Sequence, residues 1–292
     1  MKNILGMVIP LYNMESRNGS DSFLQTLAFY DTQSRLHPEV KICLVDDGST
    51  DKSKELLQLF QREYQSPLEM MYLSHNTKKV GALKAGVKKL DTDFIIHTDF
   101  DCTWEQSALE NAIKHQEDFN KDPELAGTCL YLAPKKSNSL VGKYQELEYA
   151  FGRWLISKLS AEKKFGVIPG AGGLWKKEVY QEILEEHSGE FVGDDAETTL
   201  RTIQRGYHLS YASDVMMYTQ VPESFRELRK QRERWIAGAY RVYHTLDRFV
   251  KEQCKKMIIQ VPRELFLDSI NNITPEKVKK IFKLNTTKVS LR

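Results

Sequence analysis

The segment that most constrains the fold is residues 94–101, Phe-Ile-Ile-His-Thr-Asp-Phe-Asp. A short, largely apolar run followed by polar sequence is typical of a buried parallel strand. Residues i and i+2 of an extended chain point to the same side, so Asp99 and Asp101 are expected to face one site just past the strand. Ligands of open α/β sheets bind at that edge. Two carboxylates there repel each other unless a cation is bound, and a divalent metal carrying a phosphate ligand meets this requirement.

Taken alone, this pair of aspartates is better explained as an acidic turn or a helix N-cap after a strand. The rest of the first third strengthens the ligand interpretation because strands and helices alternate there. Strands are predicted over 3–9 (ending at Pro10), 40–46, 68–73 and 92–98, with helices over 21–36, 51–64 and 79–89. This alternation predicts an α/β fold with a Rossmann-like, mostly parallel sheet flanked by helices.

The pattern after residue 104 is less regular. It predicts helices over 105–119, 139–160, 194–205 and 223–249, and strands over 125–132, 174–175, 207–212 and 214–219. The glycine-rich run Pro169–Gly173 would let a ligand approach the backbone closely. We expect residues 1–249 to form one domain with halves 1–104 and 105–249, followed by a basic helical tail, 250–292.

Composition excludes several classes of protein. A chain of 292 residues with 41% hydrophobic and 28% charged residues is typical of soluble globular proteins. No apolar stretch approaches the ~20 residues that span a bilayer. Four cysteines without metal-ligand spacing favour a reducing, cytoplasmic compartment. The net charge of +2 gives no support for nucleic acid binding.

Charge is nevertheless uneven along the chain. Residues 226–292 contain 17 Lys and Arg against 7 Asp and Glu, a net charge of +10, which leaves −8 for the rest. A basic segment suits a pyrophosphate, an anionic membrane or an acidic acceptor. Over the last 40 residues, ordinary solvated helix faces explain the charge better.

Four motifs occur in a fixed order, namely Asp46-Asp47-Gly-Ser-Thr-Asp51, Asp99-Phe-Asp101, Asp194-Asp195-Ala-Glu197 and Gln231-Arg-Glu-Arg234-Trp235. Together with the opening Val8–Asn13, they resemble family 2 glycosyltransferases, and especially the cellulose, chitin and hyaluronan synthases. The stretches Tyr144–Phe151 and Pro169–Gly173 are similar to the chitin and hyaluronan branch. The resemblance covers about residues 4–240. It implies a GT-A type fold and an inverting transfer from a UDP-sugar, with GlcNAc or glucose as the sugar.

The resemblance also implies which residues bind the donor. Asp101 is the stronger metal ligand, with Asp99 as a second ligand that also contacts the nucleotide, and the metal is Mg²⁺ or Mn²⁺. Asp47 contacts the uracil, with Asp46 as its structural neighbour. Further donor contacts are implied for Pro10, Tyr12, Lys79, Gln231 and Arg234. A solvated lysine at a helix start explains Lys79 almost as well.

Asp195 is implied as the general base that accepts the acceptor hydroxyl proton. Asp194, also placed at the catalytic centre, stands where the family often has glutamate. The alternative is that both aspartates only cap a helix. Glu197 is explained by pairing with Arg201 at i+4.

The acceptor is expected to contact Gly172, Gly173 and Trp235. Gln231, Arg234 and Trp235 are spaced i, i+3 and i+4 and therefore share one helix face, where an arginine fork suits a pyrophosphate and an indole suits a sugar. A lone tryptophan at such spacing is usually a core residue. Arg232 is expected to face elsewhere, and His97 is expected to be a hydrogen-bonded core histidine.

Polymer-extruding synthases have transmembrane helices on both sides of this core, whereas this chain starts at the first strand. We therefore expect one or a few sugars to be added to a saccharide or lipid-linked acceptor. A further hypothesis is peripheral membrane contact through the 139–160 helix or the basic tail. The alternatives are a catalytically inactive UDP-sugar-binding scaffold or partner subunit of a membrane synthase, and, less favoured, a nucleotidyltransferase. The last should have a glycine-rich basic loop after the first strand, and residues 10–20 do not fit it.

Overall fold

The computed structural model describes residues 5–161, 167–189 and 193–245. Strands within these ranges are β1 (Leu5–Leu11), β2 (Val40–Asp46), β3 (Glu69–Tyr72), β4 (Phe94–His97), β5 (Thr103–Trp104), β6 (Leu125–Pro134), β7 (Gly173–Lys176) and β8 (His208–Thr219). The helices are α1 (Met14–Asn18), α2 (Ser20–Leu36), α3 (Ser53–Tyr64), α4 (Lys78–Lys89), α5 (Ala108–Lys121), α6 (Leu140–Ala161), α7 (Lys177–Glu186), α8 (Asp194–Gln204) and α9 (Phe225–Thr245).

The strands form one sheet in the order β3-β2-β1-β4-β7-β6-β8-β5. Strands β3, β2, β1 and β4 are parallel, β7 runs antiparallel between β4 and β6, and β6 is parallel to β8. The predicted mixed, mostly parallel α/β sheet of GT-A type is therefore confirmed. Strand β1 lies between β2 and β4, to which it is parallel. The segments that follow β2 and β4 therefore flank the C-terminal end of β1.

Alternation along β1 explains why helices cover both faces of the sheet. Leu5, Met7 and Ile9 point into one apolar cluster, which includes Phe23 and Tyr30 of α2. The intervening positions point to the other face, where the helix α4 packs and where Trp175 and Tyr180 are also buried. The loops described below follow the C-terminal ends of the parallel strands of this sheet.

Three details differ from the predicted elements. Strand β1 continues through Pro10 to Leu11, which is possible because its pairing with β4 ends at Val8, so the missing N–H of the proline breaks no bond on that side. The two strands predicted over 207–212 and 214–219 are the single strand β8, with a shift in register opposite Leu130 and Tyr131. The predicted boundary at residue 249 and the tail 250–292 lie outside the described residues.

No helix in the described ranges combines the length and apolar character needed to cross a membrane.

Candidate active site

The loops after β1 and β2 are tied together by Asn13. Its backbone has a positive φ of 50°, which asparagine tolerates better than most residues. The Asn13 side-chain oxygen accepts hydrogen bonds from the backbone N–H groups of Thr50 (2.8 Å) and Asp51 (3.3 Å), while the backbone N–H of Asn13 donates to Ser49 Oγ (2.9 Å). The Asp-Gly-Ser-Thr-Asp motif is therefore held against the end of β1. Pro10 and Tyr12, predicted to contact the donor, are both partly exposed beside it.

Asp46 ends β2 and Asp47 follows it directly, and both are buried. Asp47 Oδ1 accepts hydrogen bonds from the backbone N–H and the hydroxyl of Thr77, both at 2.7 Å, and so joins β2 to the start of α4. Asp46 is fully buried, and burial raises the pKa of its carboxyl above the ordinary value. Asp46 thus has a structural position, as expected, and the contact of Asp47 with a uracil remains a prediction.

Lys79, in the first turn of α4, connects the two halves of the site. Its ammonium contacts the carboxylate of Asp99 and donates a hydrogen bond to the carbonyl oxygen of Gly170 (2.7 Å). Burial alone lowers the pKa of Lys79, but the charges of Asp99, Asp194 and Asp195 outweigh it, and the pKa is raised above its usual value. Lys79 is therefore not simply a solvated lysine at a helix start.

The segment from Asp99 to Cys102 is a turn, closed by a hydrogen bond from Cys102 N–H to Asp99 O (3.0 Å). The expectation that Asp99 and Asp101 continue an extended strand is wrong, since β4 ends at His97. The turn is fixed from α2, where the Tyr30 hydroxyl lies 2.9 Å from the carbonyl oxygens of both Phe100 and Cys102. The two aspartates are still close enough to interact.

The electrostatics of this turn fit a divalent cation. Burial, and next the charge of Asp99, raise the pKa of Asp101 to about 6, whereas Lys135 lowers it. A bound cation would relieve this repulsion. Within the described ranges no group of three or more His, Cys, Asp or Glu side chains could enclose a metal. Mg²⁺ and Mn²⁺ suit such an incomplete set, because phosphate oxygens and water supply the remaining ligands.

Asp194 and Asp195 open α8. The N-cap of this helix is Gly193 in a left-handed conformation (φ 108°), and both aspartates lie in the first turn, where negative charge also stabilises a helix. Asp195 Oδ1 accepts a hydrogen bond from the N–H of Ala196 (2.8 Å). Burial, followed by the neighbouring charge of Asp194, raises the pKa of Asp195 above the ordinary aspartate value. A partly buried carboxylate with a raised pKa is suited to accept a proton.

The loop 169–172 brings Gly170 next to Lys79 and to Asp195 of α8. This loop is held by His97, the last residue of β4, and by Thr98, which follows it. His97 Nδ1 accepts a hydrogen bond from the Trp175 indole (3.2 Å), and its Nε2 lies 3.3 Å from the carbonyl oxygen of Pro169. The Thr98 hydroxyl donates to the carbonyl of Ala171 (3.1 Å). Burial, chiefly, lowers the pKa of His97 to about 4, so this is a neutral core histidine, as predicted.

Gly172 and Gly173, predicted to contact the acceptor, are both buried. Gly172 donates to Pro169 O and accepts from Leu130 N–H, and Gly173 belongs to β7, paired with His97. These positions give both glycines a structural role, and their contact with an acceptor remains a prediction. The glycine of this loop that lies beside Lys79 and Asp195 is Gly170.

Replacing Gly173 by alanine is expected to destabilise the protein. The added Cβ would lie 2.4 Å from Trp175 Nε1 and 2.8 Å from His97 Cε1, so the stacked rings must shift. Overpacking of this kind costs about 1–3 kcal/mol of unfolding free energy. Chemical denaturation measures it, with Gly172→Ala as the matched control because its Cβ would meet nothing closer than 3.7 Å. Equal stability of the two variants would contradict this packing.

Helix α9 presents Arg232, and not Arg234, to the protein interior. The Arg232 guanidinium contacts the carboxylate of Glu148 on α6 and lies 4.2 Å from the ring centre of Trp235. Arg234 is exposed. The expectation that Arg232 faces elsewhere is therefore wrong, and the carboxylate on α6 explains why this guanidinium turns inward. Gln231 is partly buried, and roles for Gln231, Arg234 and Trp235 in ligand binding remain predictions.

Arg232 also approaches the aspartate turn through Tyr149 of α6. Burial raises the pKa of the Tyr149 phenol to about 12, and the charges of both Arg232 and Asp101 act on the same group. Charges from α9 and from the aspartate turn thus both act on this tyrosine of α6. Glu197, in contrast, is a structural residue that pairs with Arg201 Nε at 2.7 Å, which confirms the predicted i, i+4 pair.

Sequence reasoning missed two cations and a glycine. Lys135 follows β6 and donates to the carbonyl oxygen of Asp101 (2.7 Å), but its place beside β8 and the aspartate turn depends on long-range pairing. Arg232 was visible in its motif, with the wrong face assigned. Gly170 was recognisable as part of a glycine-rich loop, without a signal for which glycine approaches the site.

Comparisons with known proteins identify the family and the fold. The profile of the glycosyltransferase-like family 2 matches residues 5–238. The poly-beta-1,6-N-acetyl-D-glucosamine synthase of Staphylococcus epidermidis is 26% identical over 239 residues, covering 82% of this chain and 55% of the relative. The enzyme of the same name from Staphylococcus aureus strain MSSA476 is 27% identical over 229 residues, covering 77% and 53%. The chain thus spans about half the length of these relatives.

Solved structures share the fold. The mannosyltransferase PcManGT from Pyrobaculum calidifontis, in complex with GDP-Man and Mn²⁺, superposes with a TM-score of 0.64 at 15% identity, covering 96% of this chain and 79% of that one. Residues 1–349 of TarS from S. aureus, in complex with UDP-GlcNAc, give a TM-score of 0.51 at 15% identity, with coverage of 77% and 60%. The family profile spans both the aspartate turn and α8 with Asp195, and the chain belongs to glycosyltransferase family 2.

Proposed function

We propose that the chain is an inverting, metal-dependent glycosyltransferase that moves a sugar from a UDP-sugar to a hydroxyl of a saccharide or lipid-linked acceptor. The observation that carries the proposal is the position of Lys79. Its ammonium touches Asp99 and the carbonyl of Gly170, with the charges of Asp194 and Asp195 close by. Groups suited to a diphosphate and a carboxylate suited to proton transfer therefore lie around one ammonium.

The reaction follows from these positions. Asp99 and Asp101 would hold Mg²⁺ or Mn²⁺, which when bound neutralises charge on the departing diphosphate. The Lys79 ammonium, in contact with Asp99, adds positive charge that would stabilise the leaving UDP. Asp195 accepts the proton of the acceptor hydroxyl as that oxygen attacks the anomeric carbon. Attack on the face opposite the leaving group inverts the anomeric configuration, an expectation taken from the family.

GlcNAc is the favoured sugar. The relatives at 26–27% identity carry the name poly-beta-1,6-N-acetyl-D-glucosamine synthase, and a structural neighbour was solved with UDP-GlcNAc. Glucose is the second candidate. Because the chain spans about half the length of those relatives, polymer formation does not transfer to it with the name. Cys43, Cys102 and Cys129 are buried free thiols, which suits an enzyme of the reducing cytoplasm.

Nucleotide release with a panel of donors tests this function. The protein is incubated with UDP-GlcNAc, UDP-glucose or GDP-mannose, with Mg²⁺, Mn²⁺ or EDTA, and with and without short GlcNAc oligosaccharides as acceptor. We expect UDP-GlcNAc to be turned over about tenfold or more faster than UDP-glucose, since a site that pairs the N-acetyl group rejects a donor lacking it. EDTA should abolish turnover.

Two results would contradict the proposal. Turnover of GDP-mannose without turnover of any UDP-sugar would show that uridine is the wrong nucleotide. Tight UDP-GlcNAc binding, measured by calorimetry, without release of UDP under any condition would favour an inactive sugar-nucleotide-binding subunit.

A further inference from the structure

The outward face of α6 carries apolar side chains, where a surface helix normally carries polar ones. Leu140, Leu147, Phe151 and Trp154 have exposed fractions of 85%, 67%, 57% and 55%, and Tyr144 is also exposed. The intervals between these five residues are four, three, four and three positions, so they form one continuous row. We call this row the α6 stripe, and at 1.5 Å per residue it is about 21 Å long.

The charge along this face has one sign. Within residues 140–157, whose side chains the structure describes, the charged residue at an exposed position is Lys143. The acidic residues Glu146 and Glu148 are partly buried, and Glu148 is paired with Arg232. The exposed surface of α6 is therefore apolar and weakly cationic.

Helix α9 extends this character beside α6. The two helices are joined by the Arg232–Glu148 ion pair, and Gln145 Nε2 donates to the carbonyl of Pro222 (2.7 Å) just ahead of α9. The exposed residues of α9 include three large apolar side chains, four cations and two anions, namely Phe225, Trp235, Ile236, Arg226, Arg229, Lys230, Arg234, Glu227 and Glu233. Basic residues thus surround an apolar surface built from two helices.

We propose that the α6 stripe docks on the surface of an anionic lipid bilayer, with α6 lying in the plane of the interface and the basic residues of α9 facing the head groups. An interfacial helix has this combination of an apolar face with Lys and Arg nearby. Tyr, Phe and Trp side chains prefer the boundary between head groups and acyl chains, and anionic lipids attract cations.

The same charges disfavour a second copy of the chain as the occupant. A two-fold symmetric contact brings each patch against its own equivalent. The stripe would then bring Lys143 and four cations of α9 near their counterparts, with two exposed acids on α9, one of them already paired with Arg229, and none on α6 within residues 140–157. A lipid surface supplies the missing negative charge.

Co-sedimentation with vesicles tests the proposal on the full chain. Vesicles of phosphatidylcholine with 30% phosphatidylglycerol, about as anionic as many cell membranes, are compared with pure phosphatidylcholine. We expect Leu147→Ser/Phe151→Ser to lower the partition coefficient about tenfold or more, because two apolar side chains no longer enter the interface. Leu36→Ser/Leu59→Ser is the matched control, since it removes two exposed leucines from α2 and α3 and should bind as the parent does. The segment 246–292 is present in every variant and contributes equally to each.

Quenching of tryptophan fluorescence by brominated acyl chains supplies a second measurement. Trp104 and Trp175 are buried, so quenching reports Trp154 and Trp235, and Trp154→Phe should reduce it. The proposal is overturned by absence of vesicle binding, by equal binding of the α6 double variant and its control, or by unchanged quenching in Trp154→Phe. It is also overturned if the lipid-free parent is a dimer that the α6 double variant dissociates. None of these readouts needs sugar transfer, so they stand apart from a failure of the proposed reaction.

Discussion

Replacing Asp195 by asparagine is expected to lower kcat about 10²–10⁴-fold, the usual contribution of a positioned general base. Asparagine keeps the shape of the side chain and can still accept from the N–H of Ala196, so α8 should remain intact. The affinity for the UDP-sugar should change little, because the proposed donor contacts are those of the aspartate turn and Lys79. The measurements are steady-state UDP release and donor binding by calorimetry, with thermal unfolding as a check of the fold.

Asp194→Asn is the matched control, since it removes a neighbouring carboxylate from the same helix turn. We expect a smaller loss, because Asp194 influences the pKa of Asp195 without being the proton acceptor. A loss in Asp194→Asn as large as that in Asp195→Asn, or turnover by Asp195→Asn at the parent rate, would show that the base is misassigned.

The pH profile gives an independent reading of the same residue. A general base must be deprotonated, so activity falls as pH falls through its pKa. Because burial and Asp194 raise that pKa, the acid limb should lie above the ordinary aspartate value of about 4. Lys79→Met removes a positive charge that lowers the pKa of Asp195, and should move the limb to still higher pH. If the acid limb of Lys79→Met lies at the same pH as that of the parent, the charge of Lys79 does not act on the general base.

The sheet could be predicted from sequence because its signals are local. Apolar runs of strand length separated by amphipathic helices identify β1 to β4 and their order of alternation. The single strand β8 was divided at Ser213 because a polar interruption in an apolar pattern resembles a turn. The structure absorbs it as a shift in register against β6, which no local pattern reveals.

The candidate site was predicted in part for the same reason. Asp99, Asp195 and Lys79 each follow or open a predicted element, and parallel strands bring those ends to one edge of the sheet. The partners of these residues depend on contacts distant in sequence, such as the approach of Gly170 to Lys79, 91 positions apart. The orientation of Arg232 was missed because helix spacing fixes which residues share a face, whereas the partner, Glu148, decides which face turns inward.

Replacing Asp101 by asparagine is expected to separate metal binding from folding. Turnover should fall at least about a hundredfold, because loss of one stabilising group at a developing charge typically costs that much. In the parent, Mn²⁺ with UDP at saturating concentration should raise the midpoint of thermal unfolding by about 5 °C or more, as expected for a ligand at about 100 times its dissociation constant. This increase should disappear in Asp101→Asn.

Without metal, the same variant should be at least as stable as the parent. Asp101 is partly buried beside Asp99, and an amide there removes both the cost of burying a charge and the like-charge repulsion, the two effects that raise its pKa. The exposed Asp21→Asn on α2 is the control and should retain both the turnover and the metal-induced increase. If metal-free Asp101→Asn unfolds at a midpoint temperature well below that of the parent, the carboxylate of Asp101 stabilises the turn itself. A retained increase with Mn²⁺ and UDP would place the metal on other ligands, and either outcome would contradict the proposed role of the Asp99–Asp101 pair.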